Sequence, residues 1–439
     1  MSVVSSLYTG ASGLTSHGDA LSVVGDNIAN ANTVGFKSSR ANFEDVLARS
    51  LGGGVGDVGL GSRLADVQQI LTQGALLGTG IATDLAIKGD GYFAVKGSAE
   101  GLDSTFYTRA GQFYLDKDGY MVNSEQLKVQ GYVVNAAGTL VKTVTDVKVE
   151  NSQMPPVATT AAQVIGNLDS DAVIPTMTMA AALAAVPQTP EAASNFSTSV
   201  TVYDSLGKDH SVTIYFRKDA QAPAGQTWSW NALVDGGELT GGTAGTWVQC
   251  ANGTMNFDTD GKLVSQATAA TDFDFVGATQ NQAIAFDFGD DTASGGTGLK
   301  GVANYASSST VTYIDQDGYG SGALSGISIA SDGVIDGLFN NGMRRTVGQV
   351  LLADFQSPQE LQRIGGNLFI STEASGPALI GEAASGGRGT IAAGSLEQSN
   401  VDLAQQFVDM IAFQRGFQAN SRTITTADQM LAELVALKR

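Results

Sequence analysis

Few residues in this chain combine the type and the spacing that chemistry needs. Gly54, Gly56 and Gly59 match G-x-G-x-x-G. A dinucleotide site needs that run between a strand and a helix, where backbone N–H groups and a helix N-terminus meet the pyrophosphate. Here the helix-like segment "FEDVLARS" precedes it, so the run reads as a glycine loop. Asp315-Gln316-Asp317-Gly318 opens like a calcium loop. The third ligand and the closing Glu at position 12 are missing, and a β-turn is the simpler reading. Two distant histidines, His17 and His210, and one cysteine, Cys250, cannot build a structural zinc site. One cysteine also forms no intramolecular disulfide. Neither G-x-S-x-G nor H-E-x-x-H occurs. Asp290, Asp291 and the other acids fall in turn-like segments, where carboxylates solvate the chain. Spare carboxylates are common to any acidic β protein, so they do not point to a glycosidase pair. The expectation is a protein that is not an enzyme, with no cofactor and no metal.

The most specific stretch is "NIANANTVGFK", residues 27–37. It ends an apolar helical pattern with three asparagines, a glycine, an aromatic residue and a lysine. Asparagine tolerates left-handed backbone and bonds local peptide groups. Gly35 permits a turn that a Cβ would block. Two readings stand: an ordinary helix end with its loop, or an elbow in which Asn27, Asn30, Thr33, Gly35 and Phe36 dock on a neighbour.

The helix before it carries Leu7, Ala11, Leu14, Gly18, Leu21, Gly25 and Ile28 in alternating steps of four and three. That is a heptad seam with small residues at every other position. Gly18 and Gly25 would each cost a lone helix about 1 kcal/mol relative to Ala, so the helix needs a partner. At the other end Leu403, Met410, Phe417, Ile424 and Leu431 recur at seven-residue intervals, and Phe407 and Val435 extend the stripe. Ser399 or Asn400 could cap this helix, with Asp402 in its first turn. Two such helices at opposite ends predict an antiparallel terminal pair. The plainer alternative is one helical hairpin packed on a core.

Between the ends the pattern has period two. "DLAIKGDGYFAV" and "FYTRAGQFYLDKDGYMV" read as strands with turns at Asp90-Gly91 and Asp118-Gly119. Turns at Asp332-Gly333 and Asn341-Gly342 repeat the theme. Val200 and Val202 alternate, as do Val212, Ile214 and Phe216, around "DSLGKD". Six of eight prolines lie between Pro155 and Pro223, and all three tryptophans are central. Residues 146–300 hold 17 acidic and 6 basic residues, so most of the net charge of −19 belongs there. The predicted class is multidomain α+β: a terminal α-helical coiled coil plus two nested, mainly antiparallel β domains. The expected parts are 1–70 with 396–439, 71–145 with 301–395, and an inserted module, 146–300. Strong acidity argues against nucleic acid and anionic membrane surfaces. No run of about 20 apolar residues predicts a membrane span. The N-terminus lacks the basic and apolar regions of a cleaved secretory signal.

These residues carry a resemblance. Asn27–Lys37 is similar to the N-terminal signature of the flagellar rod and hook axial proteins. "KGDGYFAV" (88–95), "FYTRAGQFYLD" (106–116) and the whole of 396–437 resemble that family's further blocks in the same order. "VTVYDSLGKDHSVTIYF" (200–216) resembles a segment of its hook members. The resemblance implies a self-assembling subunit of the flagellar hook, a flexible tube passing torque from rod to filament, with the distal rod as the alternative site. It implies export through the flagellar type III apparatus without a cleaved signal, and an extracellular place in the hook and basal body. The implied partners are further copies of the chain and the rod, hook-cap and hook–filament junction proteins. Leu14, Leu21 and Ile28 are then expected to pack on Leu403, Met410 and Phe417 or on their equivalents in neighbours. Gln414, Arg415 and Asn420 could bond across subunits, and Phe407, Ile424 and Leu431 complete the expected interface.

Overall fold

Two long helices bracket the chain: α1, Val3–Ala29, and α3, Leu403–Leu437. Nearly everything regular between them is β, apart from the short α2, Met179–Ala184, and three turns of 3-10 helix. The computed structural model describes residues 3–47, 59–135, 138–149, 153–223 and 225–437. Of the 54–59 glycine run, only Gly59 falls among them. Contacts divide the chain into two compact units: 1–151 with 325–338 and 344–439, and 152–324 with 339–343.

In the first unit α1 packs against α3. Gly10 faces Ile424, Gly13 faces Asn420, His17 faces Gly416, and Asn27 bonds Gln406. One number falls as the other rises, so the helices run antiparallel. The buried stripe of α1 is Gly10, Gly13, Ser16, Ala20, Val24 and Asn27. It is made of small residues for a physical reason. A Cβ at Gly10 would stand 2.9 Å from Ile424 Cγ1, and one at Gly13 2.6 Å from Asn420 Nδ2. Close approach is therefore made by these glycines and by Gly416. Gly18 and Gly25, expected to make it, look onto open space. The Leu7–Leu14–Leu21–Ile28 row lies beside the buried stripe and is half-buried.

Residues 43–47 of "FEDVLARS" depart from its helix-like reading, and 48–50 lie outside the described residues. Ser39–Leu47 is a strand, paired antiparallel and with bulges to Gly59–Gln69. Tertiary support explains the change: the hairpin lies along α1. Ser12 and Ser16 hydroxyls donate to the Leu60 and Ser62 carbonyls at 3.3 and 2.9 Å. Phe43 meets His17 and Phe413 at ring separations of 5.9 and 6.0 Å.

The main sheet of this unit draws strands from both flanks of the sequence. Arg344–Asp354 pairs with Val334–Phe339, Lys128–Val134, Tyr92–Ala99 and Leu379–Glu382 along its length. Tyr92, Tyr107, Phe355 and Phe369 fill its core with edge-on ring contacts. Asp118-Gly119, Asp332-Gly333 and Asn341-Gly342 are hairpin turns with glycine at positive φ. Asp90-Gly91 differs. It joins Leu85–Lys88, which pairs with Thr390–Ala393, to Tyr92–Ala99 in the main sheet.

The second unit holds a five-stranded antiparallel sheet: Phe196–Tyr203, Asp209–Ala222, Gly225–Asp235, Trp247–Phe257 and Leu263–Thr271. Val200, Val202, Val212, Ile214 and Phe216 alternate inward as period two requires. Trp228, Trp230, Phe273, Phe275 and Phe288 are buried with them, each such side chain contributing about 1.5–3 kcal/mol. Trp230 lies across Gly253, its register partner, where any Cβ would collide with the indole. Ala161–Asn167 pairs parallel with Ala285–Asp287 and antiparallel with Thr310–Gln316. Asp315 therefore lies in a strand and not in the expected β-turn. Asp317 accepts from the Thr160 and Ala161 N–H groups at 2.8 and 3.0 Å, which ties two strand ends together.

Candidate assembly interface

The residues after α1 form a tight elbow held by their own side chains. Asn30 Nδ2 donates to the Asp26 carbonyl and carboxylate, both at 3.0 Å. Thr33 Oγ1 donates to Asn30 Oδ1 at 3.0 Å. Together they satisfy groups that a helix end leaves open. Gly35 has φ +70, and a Cβ there would stand 2.6 Å from Ala110 N. Only glycine fits that approach without strain. Phe36 is buried beyond it under the Arg363 guanidinium, 5.1 Å from the ring centre. Asn27 is buried too. Its amide donates to the Ser39 carbonyl (2.7 Å) and to Gln406 Oε1 (2.9 Å), and its oxygen accepts from Ser39 N (2.8 Å). One side chain thus joins α1, the hairpin and α3.

Below the elbow lies a buried ionic hub. Lys37 Nζ donates to Glu397 Oε1 at 2.7 Å and to the Thr72 carbonyl at 2.8 Å. Both ionic side chains are almost wholly out of solvent. The same Glu397 oxygen accepts from Gly74 N at 2.9 Å. Its other oxygen faces Arg109 Nη1 at 3.5 Å, and Arg109 lies over the Tyr92 ring. Burial lowers the Lys37 pKa from its usual range, Glu397 opposes that shift, and Arg109 adds to it. Asn400 continues the tie. Its oxygen accepts from Ser38 N at 2.7 Å, and its amide donates to the Ile70 carbonyl at 2.8 Å. Asn400 is therefore occupied in the hub and does not cap α3. Asp402 caps it, accepting from Ala404 N and Gln405 N at 2.9 and 3.3 Å.

The expected interface residues fall into three settings. Asn27, Gly35 and Phe36 are buried inside the chain. Leu14, Leu21, Ile28, Asn30, Thr33, Met410, Asn420, Ile424 and Leu431 are half-buried, with Asn420 and Ile424 facing the α1 glycines. Leu403, Phe407, Gln414, Arg415 and Phe417 are exposed. Val408 and Ile411 join this last group and are 61% and 52% exposed. Sequence reasoning missed Glu397, Arg109 and Gln406, and offered Asn400 only as a helix cap. Spacing offers no signal for a pair 360 residues apart, although Lys37 closing a specific motif was a hint.

Among the described residues no group of His, Cys, Asp and Glu is arranged to hold a metal. A pocket of the second unit, lined by Val164, Leu168, Phe196, Phe216 and Val302 among others, presents no titratable side chain. Among the described residues no helix is long and apolar enough to cross a membrane. Fold and site together define a class: a mainly β chain whose N- and C-terminal helices are joined in one unit. Comparison with known proteins makes this specific. Four family models match in order: flagella basal body rod protein (7–37), flagellar hook protein FlgE/F/G D1 domain (86–165), flagellar basal body protein FlaE D2 domain (167–319), and flagellar basal body rod FlgEFG protein C-terminal (392–437). The chain is 35% identical to the flagellar hook protein FlgE of Borreliella burgdorferi over 470 aligned residues, covering 99% of each. It is 33% identical to that of Escherichia coli, covering 97% of this chain and 98% of the relative. In fold it resembles the crystal structure of Helicobacter pylori flagellar hook protein FlgE2, with a TM-score of 0.51 at 16% identity over 73% of this chain and all of that one. The chain belongs to the flagellar hook protein family. Similarity over whole hook proteins favours the hook over the rod.

Proposed function

We propose that this chain is the structural subunit of a bacterial flagellar hook and polymerises into a flexible tube that carries torque from rod to filament. The observation that carries the reading is the long apolar row left open on α3. Leu403, Phe407, Val408, Ile411 and Phe417 are all exposed, on a helix whose opposite side is already covered by α1. A contiguous apolar face of this kind marks a surface that associates. Copies joined head to tail through unlike surfaces form an open helical polymer instead of a closed ring.

In this reading the helices and hairpin, residues 1–70 with 396–439, form the polymerisation domain and line the tube as a coiled coil. The flanking strands form the middle domain and the acidic second unit the outer one. The β domains slide on their neighbours as the tube bends. α1 and α3 fray in the free subunit and order on assembly. The chain is exported unfolded by the type III apparatus and meets the rod, the hook cap and the filament junction. Deleting the gene tests the reading. Cells should keep basal bodies with complete rods but lack hooks, and the gene should restore them. Hooks that persist, or rods that end short, would contradict it.

A further inference from the structure

α1 and α3 carry opposite charge on the sides they turn away from each other. The only charged residues in α1 are Asp19 and Asp26, one heptad apart. They lie on an exposed stripe, Thr15, Asp19, Ser22, Asp26 and Ala29, that steps by four and three along the helix. This stripe is opposite the buried Gly13, Ala20 and Val24 side, as 3.6 residues per turn requires. On α3 the matching exposed stripe is Val408, Ile411, Arg415, Gln418 and Arg422. Arg415 and Arg422 are also one heptad apart, and they are the only charged residues between Met410 and Ala427. The α3 acids Asp409, Asp428 and Glu433, and the capping Asp402, lie outside this stretch. None of the four charged groups forms an ion pair within the described chain, in which Asp26 accepts only from Asn30. So α1 offers a purely acidic stripe and α3 a basic stripe with an apolar end, at equal spacing.

We infer that the exposed stripe of α3 docks on the exposed stripe of α1 in the next copy of this chain, with Arg422 against that copy's Asp19 and Arg415 against its Asp26. The direction follows from symmetry. Copies related by rotation and translation along one axis keep their helix direction. A neighbour's α3 must therefore run antiparallel to α1, as it does within one chain. Two pairs at one-heptad spacing set the register, and opposite charge suppresses α1–α1 and α3–α3 contacts. This rests on the hook-subunit reading and adds the residue pairs that order its neighbours.

Charge reversal tests it in a strain lacking the native gene, with hooks counted by electron microscopy and secreted subunit measured in the medium. D19R/D26R alone and R415D/R422D alone should each lower hook number at least tenfold, because every junction would then bring like charges together. Co-expressing the two variants should restore hooks, since each supplies the face the other lacks. The quadruple variant should also assemble. Normal hooks from either variant alone would overturn the inference. So would rescue by the quadruple variant without rescue by the mixture, because the pairs would then lie within one copy. Failure of both rescues would overturn it as well. A parallel strain making only residues 30–402 separates the two claims. Hooks from that chain would refute the terminal-helix reading itself, whereas charge variants that assemble normally leave it standing.

Discussion

At the scale of single residues, the chain ends depend on Lys37 and Glu397. Their pairing is buried and shared with Gly74 and Arg109, so among the described residues Lys37 has no other ionic partner than Glu397, while Glu397 without Lys37 would keep only Arg109 at 3.5 Å. Replacing Lys37 with Met leaves a buried carboxylate without its main partner, a loss that typically costs about 3–5 kcal/mol. Thermal melting of K37M should show a correspondingly lower midpoint for the first unit. An unchanged midpoint would mean that water already reaches the hub. Cys250 poses a simpler test. Burial, and secondarily Asp272 and Asp274, push its thiol up to about 12, and the thiolate is the reactive form. Native protein at pH 8 should resist iodoacetamide, and unfolded protein should be alkylated readily. The hub was not legible in the sequence. Apart from closing the Asn27–Lys37 motif, Lys37 looks like a solvated lysine, and Glu397 lies 360 residues away. The elbow residues were different, because a run of asparagines before Gly35 already reports a helix that ends by bonding its own backbone.

At the scale of elements, the terminal helices show what periodicity can and cannot say. Their existence and extent follow from apolar spacing, as do the antiparallel strands of the second unit from Val212, Ile214 and Phe216. The face each helix turns to the other did not follow. The large residues Leu7, Leu14, Leu21 and Ile28 suggest a seam, yet α1 meets α3 through Gly10, Gly13 and Ala20, because small residues permit the closest approach. Residues 43–47 are a strand and not helix-like because that strand depends on pairing with Gly59–Gln69, which its own pattern does not announce. The two glycine sets should respond oppositely to alanine. Gly18→Ala and Gly25→Ala add a methyl into open space and should each stabilise the isolated subunit's helix by up to about 1 kcal/mol. Gly416→Ala would press on the His17 ring, 2.6 Å from the new methyl carbon, and should separate the helices despite the same propensity gain. Helical circular dichroism on heating reports both effects. A rise for all three variants would contradict the assigned faces.

For the whole molecule, the two units carry different liabilities. The second unit is acidic, but several of its carboxylates are built into the fold. Burial raises the pKa of Asp204, Asp287 and Asp317, and hydrogen bonds to each carboxylate outweigh it, so all three end below the usual 3.8. The unfolded chain then takes up protons first as pH falls. Their contribution is complete above about pH 4 and is lost as pH drops through the folded values. Melting of the second unit should move to lower temperature as pH falls below about 4, and a constant midpoint would contradict these roles. The first unit is limited by its ends, where a glycine-lined pair leaves apolar side chains exposed, the surface that the proposed function gives to another copy. The most direct measurement is electron microscopy of the purified full-length chain at high concentration, beside a chain of residues 30–402 that keeps Gly35, Phe36 and the hub. Curved tubes from the full-length chain and dispersed subunits from the shortened one are the predicted result. Tubes from residues 30–402 would contradict the account, because assembly would then belong to the β domains and not to the joined ends.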